Sequence, residues 1–321
     1  MTEPHSVGSA QIDGIPTLAL ASDAAGGIEV QFAPGAGMVC CSLVHAGEQV
    51  LGTRHGLRAY AERASTMGIP LLYPWANRLG ELEFALGGRT VRLDPGRPHL
   101  DLDPNGLPIH GLLGGIAGWR IEAHEAGADA ARLRARFAFD DASGLTAAFP
   151  FPHEVELAAE LRGATLAIET TVVANAGSPV PISFGFHPYL RLPEVPRAEW
   201  RLSVPVREHL LLDDRGLPTG EREPASVEPG PLGERTFDDA YTYADGEPFA
   251  LSGGGRELQL SFGPGYPFAQ LYAPDDDDVV AFEPMTAPTN TLVTGGPELK
   301  VIEPGERCEA AFELRIALRE Q

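Results

Sequence analysis

Four short stretches of the 321-residue chain gather titratable, polar and aromatic side chains in patterns that core packing alone does not require. Val279-Val-Ala-Phe-Glu283-Pro284-Met-Thr sets a carboxylate at the end of an apolar run. Glutamate is seldom buried without a partner, so such a residue either faces solvent or is put to use. Ile182-Ser-Phe-Gly-Phe-His187-Pro188-Tyr189 holds a histidine between aromatics, and the following proline restricts its backbone. A carboxylate with a reference pKa of about 4.3 is ionised at neutral pH unless burial raises it, while an imidazole at about 6.5 can hold a proton there. The two types together supply a base and an acid for proton transfer. In the other two stretches, the apolar run from Gly68 to Trp75 stops at Asn77-Arg78, and Pro108-Ile109-His110-Gly111 precedes Gly114, Gly115 and Trp119. Arg78 and His110 are candidate fixed donors to a polar ligand. Each stretch also has a plainer reading: a strand ending in a surface turn, a common His-Gly pair like His55-Gly56, a satisfied core histidine, a solvent-facing glutamate.

Composition narrows the chemistry. The formal charge of −21, from 45 acidic against 24 basic residues, repels phosphate backbones and anionic headgroups, so nucleic acid and membrane surfaces are poor partners. No apolar run reaches about 18 residues, and Met1 to Gly14 lacks a signal-peptide pattern, so a cytoplasmic protein is expected. Cys40, Cys41 and Cys308 have neither disulfide-framework nor zinc-site spacing. Lys300 is the one lysine, and neither a Walker loop nor a dinucleotide fingerprint occurs, so no cofactor or metal is expected. The acidic run Asp275 to Asp278 lacks the alternation and glycine of a calcium loop and reads as a solvated turn.

The elements that must position these groups are strands. Period-two alternation points Leu133, Ala135, Phe137 and Phe139 inward and Arg132, Arg134 and Arg136 outward. Val155, Leu157, Ala159 and Leu161 alternate with glutamates, and Cys308, Ala310, Phe312, Leu314, Ile316 and Leu318 do so over a long last strand. Further strands are expected at 28–32, 38–45, 165–174, 199–206, 257–262, 268–273 and 279–283. Only 57–66 has the pattern of a short helix, which disfavours parallel α/β folds. The Gly-, Pro- and Asp-rich tract 213–235 reads as a long surface loop rather than a linker. The expectation is an all-β, antiparallel sandwich of two large sheets, with residues 1–321 as one domain.

In order as well as content, the stretches resemble the aldose 1-epimerase (galactose mutarotase) family: Asn77-Arg78, His110-Gly111, His187-Pro188-Tyr189, Phe237-Asp238-Asp239-Ala-Tyr241, Glu283-Pro284. Met285-Thr-Ala-Pro-Thr-Asn290 resembles the family's continuation, and the likeness spans about residues 25 to 318. It departs from the commonest forms at His110-Gly-Leu and Asp238-Asp239; Asp238 takes the family's aspartate position when Tyr241 takes the aromatic one.

The resemblance implies the galactose mutarotase-like supersandwich, a sugar substrate, no cofactor, and a place in carbohydrate metabolism. Anomer exchange removes the proton from the anomeric hydroxyl and protonates the ring oxygen, so that the ring opens, the aldehyde rotates and the ring recloses. Two proton carriers on opposite sides suffice, and the resemblance makes Glu283 the base and His187 the acid. It makes Arg78, His110, Asp238 and Asn77 binding residues, while Trp75, Phe186 and Tyr189 are candidates to stack on a sugar face. Two alternatives stay open: a sugar-phosphate epimerase using arginines such as Arg54, Arg58, Arg120 and Arg191, and a catalytically silent carbohydrate-binding protein on the same scaffold.

Overall fold

Alternation drives the architecture. A computed structural model describes residues 4–318 apart from Ala176 and Glu194. In strand Ala131–Phe139, Leu133, Ala135, Phe137 and Phe139 are buried while Arg134 and Ala138 are exposed. Each such Leu or Phe contributes about 1.5–3 kcal/mol on leaving water. The outward side chains pair across strands: Arg136 reaches Glu122, Glu154 and Glu156.

Two large antiparallel sheets result, one of nine strands and one of seven, beside a five-stranded sheet from residues 5–49. Their inner faces meet through aromatic contacts. Phe186 of the seven-stranded sheet meets Phe312 of the nine-stranded sheet at 5.0 Å between ring centroids, and Phe282 meets Phe249 at 5.4 Å. This is the expected all-β sandwich. The two-turn helix Gly56–Arg63 lies where the sequence predicts a short helix, at 57–66. No helix among the described residues is long and apolar enough to cross a membrane.

Several boundaries differ from the sequence reading. The tract 213–235 is not a loop: it forms Pro218–Pro224, the outermost strand of the seven-stranded sheet, and Val227–Pro231, the outermost strand of the nine-stranded sheet. Both are largely exposed, so neither carries the apolar alternation that marks a half-buried strand. The mostly exposed strand His5–Ile12 is unmarked for the same reason. Leu318, expected to point inward, is exposed at the end of the last strand. The stretch 199–206 splits into a short turn of helix and strand Arg201–Val204, and the strand expected at 279–283 runs Ala281–Met285.

The seven-stranded sheet sets the stage for chemistry. Strand register places Asp238 opposite Tyr272, and Gln270 opposite Glu283. With a side-chain period of two, these four residues project from one face while Leu271 and Phe282 enter the core from the other.

Candidate active site

That face opens into a pocket of about 280 Å3 lined by all of Asn77, Arg78, His110, His187, Asp238 and Glu283. The pocket also takes in Arg54, Thr66, Asp101, Asp103, Tyr189 and Tyr272. A wider depression of about 630 Å3 lies on the nine-stranded sheet, over Ala158, Ala167 and Ala311, and has no histidine among its lining residues. The smaller pocket holds the titratable groups that the sequence singles out.

Backbone geometry builds the wall that carries Arg78 and His110. Asn77 and His110 both adopt left-handed conformations, at φ 52° and 64°. The amide of His110 donates to the carbonyl of Asn77 at 2.8 Å, and that of Leu79 to the carbonyl of Pro108 at 2.8 Å. Gly111, at φ 78°, packs so tightly on Tyr73 that a Cβ there would collide with the Tyr73 carbonyl. This explains the glycine after His110 physically.

Arg78 sits among acids. Its Nε lies 3.2 Å from Asp103 Oδ2 and its Nη2 lies 3.9 Å from Asp238 Oδ2, while Nη1 donates to the carbonyl of Gly216 at 3.4 Å. Asp238 accepts from Gln270 Nε2 at 2.6 Å, and Asp239 points away to His209 at 3.2 Å. Of the two adjacent aspartates, Asp238 is therefore the pocket residue.

At the pocket floor His187 Nε2 stands 3.2 Å from Glu283 Oε1, with both side chains at most 5% exposed. The expected proton carriers thus stand side by side rather than on opposite sides. Burial raises the Glu283 carboxyl well above its ordinary range; Asp238 adds to this and Arg78 opposes it. Burial likewise holds His187 well below the ordinary imidazole value, helped by His110 and Arg54. His110 is depressed to about 3 by burial and then by Arg78 and Arg54, so it is neutral at pH 7. Both shifts in the His187–Glu283 pair disfavour the charged form of each partner.

The aromatic expectations divide. Trp75 and Phe186 are core residues, at 0% and 1% exposure, with no face for a ligand. Tyr189 lines the pocket, but its ring is engaged by His187, stacked at 4.0 Å and 15°, and by Arg54 at 5.2 Å. Of the arginines considered for phosphate, only Arg54 lines the pocket; Arg58 binds Asp13 and Arg120 pairs with Glu122.

Sequence reasoning passed over Asp101, Asp103, Thr66 and Tyr272. Asp101-Leu-Asp103 before Pro-Asn-Gly was a usable signal: Asp103 Oδ1 accepts from the amides of Asn105 and Leu107 at 2.8 and 2.9 Å, bracing that turn, while Oδ2 meets Arg78. No group of three or more metal-ligating side chains occurs among the described residues.

The model of the aldose 1-epimerase family matches residues 26–315. A galactose mutarotase-like protein from Clostridium acetobutylicum shares 18% identity with the chain; 99% of this chain and 100% of that one are covered, with a TM-score of 0.86. A putative aldose 1-epimerase from Escherichia coli K12 shares 19% over 99% of its length and 98% of this chain, with a TM-score of 0.71. The galactose 1-epimerase of Lactobacillus acidophilus shares 15% over 99% of its length and 98% of this chain, with a TM-score of 0.76. No curated protein sequence matches significantly. The structural likenesses extend over nearly whole chains and share the sandwich described above.

Proposed function

Because the chain belongs to the aldose 1-epimerase family, we propose that it interconverts the α and β anomers of a hexose by general acid–base ring opening and closure. The observation that carries this reading is the 3.2 Å contact between His187 Nε2 and Glu283 Oε1 on the pocket floor. The anomeric hydroxyl and the ring oxygen are bonded to the same carbon, so the groups that serve them must be neighbours. A pair sharing one proton always contains one acid and one base. The forward step starts from the ionised pair, which burial disfavours and which Arg78 and the sugar's oxygens must stabilise: Glu283 takes the proton of the anomeric hydroxyl, His187 gives one to the ring oxygen, and the roles exchange on closure. Arg78 and His110 donate to substrate oxygens, and Asp238 and Asn77 bind hydroxyls.

The charges of the pocket favour an unphosphorylated sugar. Arg78 is already paired with Asp103 and Asp238, and Arg54 with Asp277 at 3.1 Å. Asp101 adds a further carboxyl to the same lining. A phosphate dianion would have to displace carboxylates from both arginines.

The test is polarimetry of freshly dissolved α-D-glucose and α-D-galactose, corrected for spontaneous mutarotation. The protein should accelerate the approach to equilibrium, and Glu283→Gln should remove that acceleration while sugar still binds. Unchanged turnover in the variant would sink the assignment of the base; acceleration for sugar phosphates alone would move the substrate to the phosphorylated class.

A further inference from the structure

A histidine that works as acid or base is commonly oriented by a hydrogen bond to its second ring nitrogen. His187 has no such bond to another residue: Nε2 faces Glu283, and Nδ1 is buried with at most its own backbone as a partner among the described residues. Its imidazole instead lies flat on Tyr189, 4.0 Å between centroids and 15° between planes, with Tyr272 edge-on at 5.3 Å. Tyr189 is itself pinned. Its hydroxyl lies 2.6 Å from Thr66 Oγ1 and accepts from Arg54 Nη1 at 3.3 Å, and its amide donates to the carbonyl of Gly68 at 2.8 Å.

We propose that Tyr189 is the positioning residue for His187, aiming Nε2 by stacking rather than by a hydrogen bond to Nδ1. The proposal rests on the proton-transfer reading above. It adds a reason for the arrangement: a stacked ring keeps its direction whichever proton state it is in. A carboxylate or carbonyl on Nδ1 would favour one state, whereas a reversible anomer exchange needs His187 to give a proton in one half-reaction and take it back in the other. Arg54, which donates to the Tyr189 hydroxyl, is itself held by Asp277 at 3.1 Å.

The experiment compares Tyr189→Phe with Tyr189→Leu in anomer-exchange kinetics, alongside imidazole NMR of the wild-type protein. Tyr189→Leu, which loses the flat ring, should lower kcat by about 10²-fold, as expected for a misaligned catalytic group, with KM changed less than about threefold. Tyr189→Phe should restore kcat to within about threefold of wild type, because the stack survives the loss of the hydroxyl. In the wild-type protein the ring protons of His187, assigned with His187→Gln, should be displaced upfield by the tyrosine ring current. Equal kcat in wild type and Tyr189→Leu overturns the proposal, as does an undisplaced His187 signal; the NMR arm decides even if Tyr189→Leu does not fold. A wild-type protein that shows the displaced signal yet exchanges no anomers overturns the mutarotase reading instead.

Discussion

His110 donates its backbone N–H to the carbonyl of Asn77 across 2.8 Å, and both residues hold left-handed backbones. Two pocket side chains are therefore presented by a pair of unfavourable conformations that lock each other. Asparagine tolerates this region better than other non-glycine residues. Asn77→Ala should cost about 1 kcal/mol and Asn77→Gly less, read from chemical denaturation midpoints. Gly111→Ala, which adds a collision with the Tyr73 carbonyl to a positive φ, should cost more than either. Equal stability of all three variants would contradict the strain argument.

The shared proton predicts the pH–rate profile. Raising Glu283 and lowering His187 move the pair's two titration steps away from the ordinary carboxylate and imidazole values. The acid limb, where His187 takes a second proton, lies below the ordinary imidazole value, and the alkaline limb, where the pair loses its proton, lies above the ordinary carboxylate value. The fall in activity as His187 takes a second proton should therefore lie below the ordinary imidazole value of about 6.5, not at it. A sigmoidal change centred there would mean that His187 titrates as in water.

Asp103 should matter through Arg78. Its side chain is 3% exposed and lies 3.2 Å from the Arg78 Nε. Removing one partner of a buried pair typically costs about 3–5 kcal/mol, so Asp103→Ala should destabilise the protein by about that much. Asp103→Asn keeps an acceptor for the amides of Asn105 and Leu107 and should cost less. With one of its two carboxylates gone, Arg78 should hold sugar less rigidly, raising KM more than it lowers kcat. Calorimetry and steady-state kinetics read the two effects separately.

Acid should weaken the fold through its buried neutral histidines. His153 is depressed to about 4 by burial, with its ring between the Tyr73 hydroxyl and the Phe151 carbonyl, each at 2.5 Å. Its folded value lies below its unfolded value, so the unfolded chain binds the extra proton. The contribution is complete above the unfolded pKa of about 6.5 and is lost as pH falls toward the folded value. Between those limits one such group changes stability by up to about 1.4 kcal/mol per pH unit. His153→Gln should therefore flatten the acid slope of stability by about one proton, measured as denaturation midpoints across that window. An unaltered slope would place the titration elsewhere.

Much of this was readable in the residues themselves. His187, Glu283, Asn77, Arg78 and His110 stand in compact strings whose order carries information. Cross-strand facts were not readable: Gln270 meets Asp238, and Tyr272 flanks His187, only because particular strands pair in particular registers. The choice between Asp238 and Asp239 depends on a register difference of one residue, which sends one to Arg78 and the other to His209. Trp75 and Phe186 misled because aromatic character is shared by ligand platforms and cores, and only burial separates them.

The outer strands Pro218–Pro224 and Val227–Pro231 have a consequence for how molecules of this protein meet one another. A sheet normally ends in a row of unpaired N–H and C=O groups that can template another chain. Here successive segments of one tract form one edge of each large sheet, and they carry prolines at 218, 224, 229 and 231 with Glu221, Arg222, Glu223 and Glu228 between them. Proline has no N–H to offer a new strand, and glutamates on two facing copies repel. The residues that hid these strands from a pattern search are those that disfavour the addition of another strand at these two edges.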